Sequence, residues 1–466
     1  MRSLLLPAEP VRSIDEYLAS EWGGLAIQRA VELGQDGTIA EIERSGLRGR
    51  GGGGFPTGRK WTGVNGQSGT HRYAVANGAE GEPGTFKDRT LLRTNPYQVI
   101  EGLVIAAYAV GAAEAYIGLK ASFGPEIELV TKAIQEMQQA GIARDSVMTI
   151  VHGPDEYLFG EEKALLEVIE GNPPLPRLFP PHEHGLFATA PQSGWIAHDA
   201  ELGHAGLHES NPTLVNNVET LANAVPILVM GSDWFRSLGT DQSPGTVICT
   251  VVGDVVRPGV AEVELGTPLR QVLDDVGGGP RPGRSVKAVF SGVANAVVTA
   301  AGLDVPVSYE GFQSIGSGMG SAGFIVVDDT ACMVEVAHQF SRFLSVESCG
   351  QCSPCKLGAG AITVDLERIQ AGTATAADVD DIMRWLSRVT DGARCYLATE
   401  EQLVVSSILN AFSTEFDEHL QTALCPRPVP FTVPKLIDIA DGRAVYDERQ
   451  AHKRPDWTFA DEDREG

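Results

Sequence analysis

Three cysteines fall within one short run, Glu347-Ser348-Cys349-Gly350-Gln351-Cys352-Ser353-Pro354-Cys355. A C-x2-C-x2-C spacing gathers three thiolates on one face of a loop, as a cubane iron–sulfur cluster requires, and Gly350 and Pro354 supply the turns. The fourth ligand this needs is offered by Cys395, in Gly392-Ala393-Arg394-Cys395-Tyr396. A helix-like stretch from Lys356 would aim its N-terminus at the cluster and favour negative charge there. Structural zinc is the competing reading, although zinc more often pairs two separate C-x2-C knuckles. Cys249 and Cys332 lie in apolar contexts and read as inert core residues. Cys425 precedes a proline, as in ferredoxin runs, but lacks companion cysteines along the chain. Seven cysteines, unevenly spaced, are too few to build a disulfide scaffold in 466 residues.

Glycine is the second constraint. The chain holds 53 glycines, and the densest run is Leu47-Arg48-Gly49-Arg50-Gly51-Gly52-Gly53-Gly54-Phe55-Pro56-Thr57-Gly58-Arg59-Lys60-Trp61. Gly49, Gly51 and Gly54 satisfy G-x-G-x-x-G, but the segment before them reads as a helix rather than the strand a dinucleotide fold needs. A Walker loop fails because Arg59, not lysine, follows Gly58. Composition says more than the motif. Between Arg48 and Arg93 lie eight basic and three acidic residues, an island of +5 in a chain of net charge −25. Glycine amides closing on phosphate oxygens, with Arg and Lys balancing charge, fit a small phosphate ligand. A second glycine run, Gly316-Ser317-Gly318-Met319-Gly320, has no basic flank and reads as a structural turn.

The overall charge argues against nucleic acid and anionic membranes as partners. Hydrophobic content of 43% and charged content of 21% suit a folded protein of more than one domain. Leu4-Leu5-Leu6 is too short for a signal core, and Leu103 to Ala113 is too short to span a bilayer, so a cytoplasmic location is expected. Residues 1 to about 240 read as mixed α/β. Thr38 is placed as the cap of a short helix ending at Gly46, Arg72 to Asn77 as extended, Leu92 to Val110 as helical, Ala115 to Leu119 as a strand and Glu126 to Ala140 as a helix. Residues 245–330 read as a small α+β module, 331–424 as helices around the cysteine run, and 425–466 as an extended arm with an acidic, solvated end.

The run Gly49 to Trp61 and the run Asn77-Gly78-Ala79-Glu80-Gly81-Glu82-Pro83-Gly84-Thr85-Phe86-Lys87-Asp88-Arg89 resemble the flavoprotein subunit of respiratory complex I. Soluble NAD-linked hydrogenases and formate dehydrogenases carry the same subunit type. The likeness continues through Tyr157 to Glu162, Asn216 to Thr220, Glu347 to Cys355 and Cys395, in the same order, over about residues 38 to 420. It implies an α/β flavin-binding domain, a β-grasp (soluble-ligand-binding) module and a C-terminal helical bundle holding one [4Fe–4S] cluster. In such subunits FMN takes hydride from NADH and passes electrons singly to the cluster. By motif position Gly49, Arg50, Gly51, Gly52, Gly53, Gly54, Phe55, Lys60, Asn77, Tyr157, Gly160, Glu161, Asn216, Asn217 and Thr220 would bind cofactor. Phe55, Glu80, Glu82 and Glu162 would line the nicotinamide side, the three glutamates as the catalytic set. Cys349, Cys352, Cys355 and Cys395 would hold the cluster.

The chain departs from the family pattern around the dinucleotide. Ala79 stands where aspartate is usual, Gly63 where a second aromatic is usual, and Phe179-Pro180-Pro181-His182 replaces Lys-Pro-Pro-Phe. Loss of a stacking partner and a cation bears on the preferred hydride donor. The alternative expectation is therefore an FMN/[4Fe–4S] electron-transfer subunit that does not use NADH directly. A loop holding His182, His184, His198, His204 and His208 reads as surface; a metal site is conceivable there, but apart from His-x-His the spacings are irregular. No two-iron domain or additional ferredoxin cysteines are visible, so partner iron–sulfur subunits would carry electrons onward. Any membrane association would come through those partners.

Overall fold

The computed structural model describes residues 3–68, 71–143, 146–189 and 209–459. The chain divides into two compact units, one of Met1–Glu80, Asp88–Asp155 and Phe159–Leu238, the other of Gly81–Lys87, Glu156–Leu158 and Gly239–Gly466. Two short segments from the N-terminal half of the sequence thus belong to the second unit.

In the first unit, among the described residues, β1 (Tyr73–Asn77), β2 (Glu114–Lys120), β3 (Val147–Gly153) and β4 (Thr213–Asn217) make a parallel sheet in the order β3-β2-β1-β4. Ala74, Val75 and Ala76 of β1 are buried, as a parallel strand covered on both faces must be. The helix Pro96–Val110 is buried on nearly every side, which is why its sequence is apolar throughout rather than striped. A Cβ on its Gly102 would lie 2.1 Å from the Leu221 carbonyl oxygen, so glycine is what lets it touch the helix Val218–Met230. Its one acid, the buried Glu101, accepts hydrogen bonds from Tyr17 Oη at 2.5 Å, Gly24 N at 2.9 Å and Ile27 N at 3.0 Å.

Two sequence expectations are corrected here. Leu92 to Val110 is not continuous: Lys87–Thr94 and Pro96–Val110 are separate helices, because Asn95 caps the second, accepting from Gln98 N at 3.3 Å, and Pro96 cannot continue the first. Nor does Thr38 cap a short helix. The helical segment runs Leu25–Ser45 with a break at Gly34 (φ 71, ψ 173), and the Thr38 hydroxyl donates back to Gly34 O at 2.8 Å. The stop at Gly46 is as expected.

In the second unit, β5 (Thr246–Gly253), β6 (Gly259–Glu264), β7 (Val286–Ser291), β8 (Val298–Thr299) and β9 (Gly323–Asp328) form a mixed sheet ordered β6-β5-β9-β7-β8, in which β5 and β9 are parallel. Five helices follow, Met333–Glu347, Ser353–Gln370, Ala376–Leu386, Leu397–Ala411 and Ser413–Thr422, around a core that includes Phe340, Leu344, Ile362 and Ile408. The C-terminal stretch is more ordered than an extended arm. Leu436–Ala440 and Arg443–Tyr446 pair as an antiparallel hairpin, and Lys453 beyond them is buried. Its ammonium meets Glu347 Oε1 at 2.9 Å and Oε2 at 3.1 Å, both side chains almost wholly out of solvent. Burial would push the Glu347 carboxyl up, but Lys453 and Lys435 hold it below the usual carboxylate range. The acidic end at 461–463 lies outside the described residues.

Removing one partner of a buried pair strands the other charge. Lys453→Met is expected to destabilise the chain by about 3–5 kcal/mol in urea unfolding, and the double variant Glu347→Met/Lys453→Met to regain much of that. A loss below about 1 kcal/mol would show that the arm is not fastened through this pair.

Candidate functional site

In the first unit the glycine run makes a closed hairpin. Gly49 N donates to Phe55 O at 2.8 Å and Thr57 N to Leu47 O at 2.9 Å, while Arg48 Nε donates to Gly54 O at 2.8 Å. Gly52 (φ 116) and Gly54 (φ 58) occupy backbone conformations that side chains disfavour, so these two positions demand glycine. The helix Thr57–Asn65 starts directly after Pro56 with no side-chain cap. Thr57 Oγ1 is buried there with no hydrogen-bond partner among the described residues. An unsatisfied buried hydroxyl at a helix N-terminus beside glycine amides is the donor arrangement a phosphate takes up.

The carboxyl edge of the parallel sheet closes on this hairpin. Asn77 ends β1 directly opposite Asn217, which ends β4. Asn77 Nδ2 donates to Gly160 O at 2.8 Å, and its Oδ1 accepts from Ala79 N at 3.2 Å. Asn217 caps the next helix, accepting from Glu219 N at 3.0 Å, and its Nδ2 donates to Asp88 Oδ2 at 2.8 Å. Thr220 Oγ1 accepts from Arg50 N at 2.8 Å, and Asn216 Oδ1 from the buried Trp61 Nε1 at 2.8 Å. Lys60 Nζ sits 2.6 Å from Glu162 Oε2, both part-exposed, and Phe55 is exposed. Glu161 caps the helix Glu162–Ile169, accepting from Lys163 N and Ala164 N at 2.9 and 3.0 Å. Burial pushes its carboxyl up to about 7. Glu80 is buried against Arg89 Nε at 3.0 Å and accepts from Asp88 N at 3.1 Å.

The first unit therefore gathers Gly49 to Phe55, Lys60, Asn77, Glu80, Gly160, Glu161, Glu162, Asn216, Asn217 and Thr220 from the expected set. Most of their polar side chains brace backbone rather than stand open. Glu82 and Tyr157 belong to the second unit instead. The Tyr157 hydroxyl donates to Glu82 Oε2 and lies 3.1 Å from Glu400 Oε1, and Glu82 Oε1 accepts from Val293 N at 2.6 Å. Burial raises Glu82 to about 7, and burial together with the Glu82 charge raises Glu400 well above its ordinary value. Sequence reading missed Thr57, Arg89 and Glu400. A threonine following Pro56 at a helix start was a usable signal for the first, whereas Glu400, in the first turn of the helix Leu397–Ala411, has nothing local to mark its partners.

The cysteine run also lies in the second unit. Cys352 caps the helix Ser353–Gln370, with Pro354 in its first turn, and Gly350 (φ 80) turns the chain between Cys349 and Cys352. Cys355 belongs to the bundle core, and Cys349, Cys352 and Cys395 pack against that same core. Arg394 Nη1 donates to Gln351 Oε1 at 3.1 Å, tying the Cys395 segment to the loop between the first two cysteines. Burial raises the Cys355 thiol, and the charges of Cys352 and Cys349 push the same way. Three cysteines at the start of this helix, with the Cys395 segment tied to their loop, are the donor types an anionic iron–sulfur cluster takes. Of the loop histidines, His182 and His184 are described and part-exposed, and His198, His204 and His208 lie outside the described residues.

Comparison with known proteins agrees with this division of labour. The family model for the Nuo51 FMN-binding domain matches residues 42–226. That for the SLBB domain matches 248–292, and that for the NADH-ubiquinone oxidoreductase-F iron-sulfur binding region matches 335–419. An NADH-quinone oxidoreductase subunit of Rhizobium meliloti (strain 1021) is 37% identical over 414 residues, covering 87% of this chain and 94% of the relative. The NADP-reducing hydrogenase subunit HndC of Solidesulfovibrio fructosivorans is 34% identical, covering 90% and 82%. A crystal structure of an NAD+-reducing [NiFe]-hydrogenase in the air-oxidized state matches with a TM-score of 0.76 at 30% identity, covering 88% of this chain and 67% of that one. The resemblance read from the sequence motifs is borne out.

The Glu82–Tyr157–Glu400 cluster sets a pH dependence. Unfolded, both carboxyls ionise near their ordinary value of 4.5; folded, Glu82 keeps its proton to about 7 and burial holds Glu400 well above its ordinary value too. The contribution is thus fully present below the ordinary carboxylate range and is lost as pH rises toward neutrality. Between about pH 5 and pH 8 the unsubstituted chain should lose more thermal stability than Glu400→Gln. Parallel Tm-against-pH curves would show that these carboxyls are not carrying raised values.

Proposed function

The chain belongs to the NADH-ubiquinone oxidoreductase-F family, and from that membership we propose that it oxidises NADH as the FMN- and [4Fe–4S]-bearing flavoprotein subunit of a multi-subunit dehydrogenase. The buried, unpartnered Thr57 hydroxyl at the mouth of the glycine hairpin carries the flavin half of this reading. FMN, when bound, supplies the conversion of a two-electron hydride donor into single electrons for an iron–sulfur cluster. In this chain the hairpin amides and Thr57 would hold the FMN phosphate, with charge from Lys60. Thr220 and Asn217 would keep the hairpin in place through Arg50 N and the Asp88 side chain. Phe55, exposed on the hairpin, and Glu162, paired with Lys60, are the residues of this unit proposed for the nicotinamide side. Cys349, Cys352, Cys355 and Cys395 would ligate the cluster.

The finer layout follows the same proposal: a flavin-binding α/β domain to about residue 240, a β-grasp module over 245–330, the cluster-bearing bundle over 331–424, and the C-terminal arm. No described helix is long and apolar enough to cross a membrane. We place the chain in the cytoplasm, joined through partner iron–sulfur subunits to either a quinone-reducing complex or a soluble hydrogenase or formate dehydrogenase.

Anaerobic purification followed by flavin, iron and sulfide analysis tests the cofactors, and bleaching of the flavin band on adding NADH tests the donor. Loaded cofactors that ignore NADH would sink the NADH assignment and leave the electron-transfer subunit. Thr57→Val offers a sharper check. Removing an unsatisfied buried hydroxyl should leave the cofactor-free chain as stable or about 1 kcal/mol more so, yet lower FMN occupancy. Lys60→Ala should also lower occupancy. Full flavin retention in both variants would place the phosphate elsewhere.

A further inference from the structure

Glu400 is the member of the Glu82–Tyr157–Glu400 cluster to which no motif and no cofactor assigns a role. It is buried, 6% exposed, whereas Glu82 and Tyr157 keep part of their surface open, so Glu400 stands behind the phenol. The contacts decide where the protons are. Tyr157 Oη meets a carboxyl oxygen on either side, Oε2 of Glu82 and, at 3.1 Å, Oε1 of Glu400. A phenol has one proton and cannot serve both, so one carboxyl must itself be the donor.

The two acids are not equivalent. Glu82 Oε1 accepts from Val293 N at 2.6 Å, so with the phenol Glu82 has two donors. A Cβ on Gly292 (φ 61) would lie 1.9 Å from that same oxygen, so the turn after β7 is glycine where the carboxyl enters. Glu400 Oε2, by contrast, is buried with no hydrogen-bond partner among the described residues. Charge settles on the carboxyl with more donors, and the proton stays on the other.

We propose that Glu400 is a positioning residue: its carboxylic acid keeps a proton, donates it to Tyr157 Oη and thereby aims the phenol's own proton at Glu82, the acid that ionises first. The role rests on the proposed NADH reading only in what Glu82 and Tyr157 then do. No described cation offsets either acid, and two carboxylates about one phenol repel, so the pair gives up its protons in two separate steps. The other titratable groups nearby are accounted for. Glu401 turns to the Ser341 hydroxyl at 2.6 Å, and Glu347, which accepts from Tyr157 N at 3.0 Å, is held charged by Lys453 and Lys435. Tyr396, one turn before Glu400, is raised by burial and by the Glu400 charge and stays neutral. A phenol that accepts from an acid is a stronger donor, so neutral Glu400 stabilises the Glu82 carboxylate.

The test is infrared difference spectroscopy of the flavin-loaded chain across pH, following protonated carboxyl groups, with Glu82→Gln marking the first step. Glu400→Gln keeps an N–H for the phenol, so it should lose one protonated carboxyl at neutral pH and leave the Glu82 step in place. Glu400→Leu removes the donor and should move that step up by about half to one pH unit. The pH profile of flavin bleaching by NADH should follow the same order, Gln like the unsubstituted chain and Leu displaced. A protonated-carboxyl signal undiminished in Glu400→Gln would overturn the proposal, as would a Glu82 step identical in Gln and Leu. Should the Leu variant not fold, the Gln result decides alone. The infrared readings need no hydride donor, so absence of bleaching in every form would refute the NADH reading and leave the Glu400 result standing.

Discussion

The pairing of β1 with β4 is the constraint on which the first unit's site depends. Parallel register places Asn77 opposite Asn217, so both side chains emerge together at the carboxyl edge of the sheet. Neither asparagine then has much freedom. One reaches Gly160 and fixes the turn before the helix Glu162–Ile169; the other caps the helix Val218–Met230 and reaches Asp88. Arg50 N on Thr220, one turn into that helix, locks the glycine hairpin onto the same edge. A register slip of one residue in β1 would turn Asn77 to the opposite face and away from Asn217. Open parallel sheets place ligands at this edge because the strand ends leave loops and helix N-termini facing one crevice.

The second unit is organised by buried acids. Glu82, Glu347, Glu400 and Glu401 are all withdrawn from solvent, but their surroundings differ. Glu347 has lysines and is held charged. Glu82 and Glu400 share a phenol, and among the described residues Glu401 has the Ser341 hydroxyl at 2.6 Å and no cation, so burial raises all three, Glu401 to about 8. Charge is kept only where a cation accompanies it, because desolvating a lone carboxylate costs more than protonating it. A chain of net charge −25 therefore has acids that are neutral in place, and its formal count overstates the charge its interior bears.

What was legible in the sequence was what is local. The C-x2-C-x2-C run, the glycine hairpin, the strand at Tyr73–Asn77 and the stop at Gly46 each lie within a dozen residues, and local spacing states them. The break at Asn95 was legible in principle, since Asn-Pro is a helix-start signal, but the apolar run behind it masked the join. What was not legible required the fold. Cys425 looked companionless because the cysteine near it in the fold, Cys332, lies more than ninety residues earlier in the chain. The arm looked extended because its prolines are visible locally, whereas the Glu347 that fixes Lys453 is about a hundred residues away. The roles of Asn216, Asn217 and Thr220 were half legible: position in a motif marks them as important without separating a ligand contact from a brace.

The basic island shows why such a count needs a structure. Between Arg48 and Arg93 the sequence holds an excess of five positive charges, which read as a phosphate site. In the fold, most of that charge is answered by groups outside the window or by backbone. Arg93 meets Glu126 at 2.5 Å and Lys60 meets Glu162 at 2.6 Å. Arg72 donates to the Asn65 and Gln67 carbonyls, and Arg48 and Arg50 to carbonyls of the hairpin itself. Several cations of the island thus stiffen the hairpin and its supports instead of forming an open positive surface. On the proposed reading, anion recognition would then fall to oriented N–H groups and the Thr57 hydroxyl, which act by direction and at short range. Directional recognition suits a small phosphate monoester held in one pose, and it lets a strongly acidic chain bind an anion without a basic face that would attract nucleic acid.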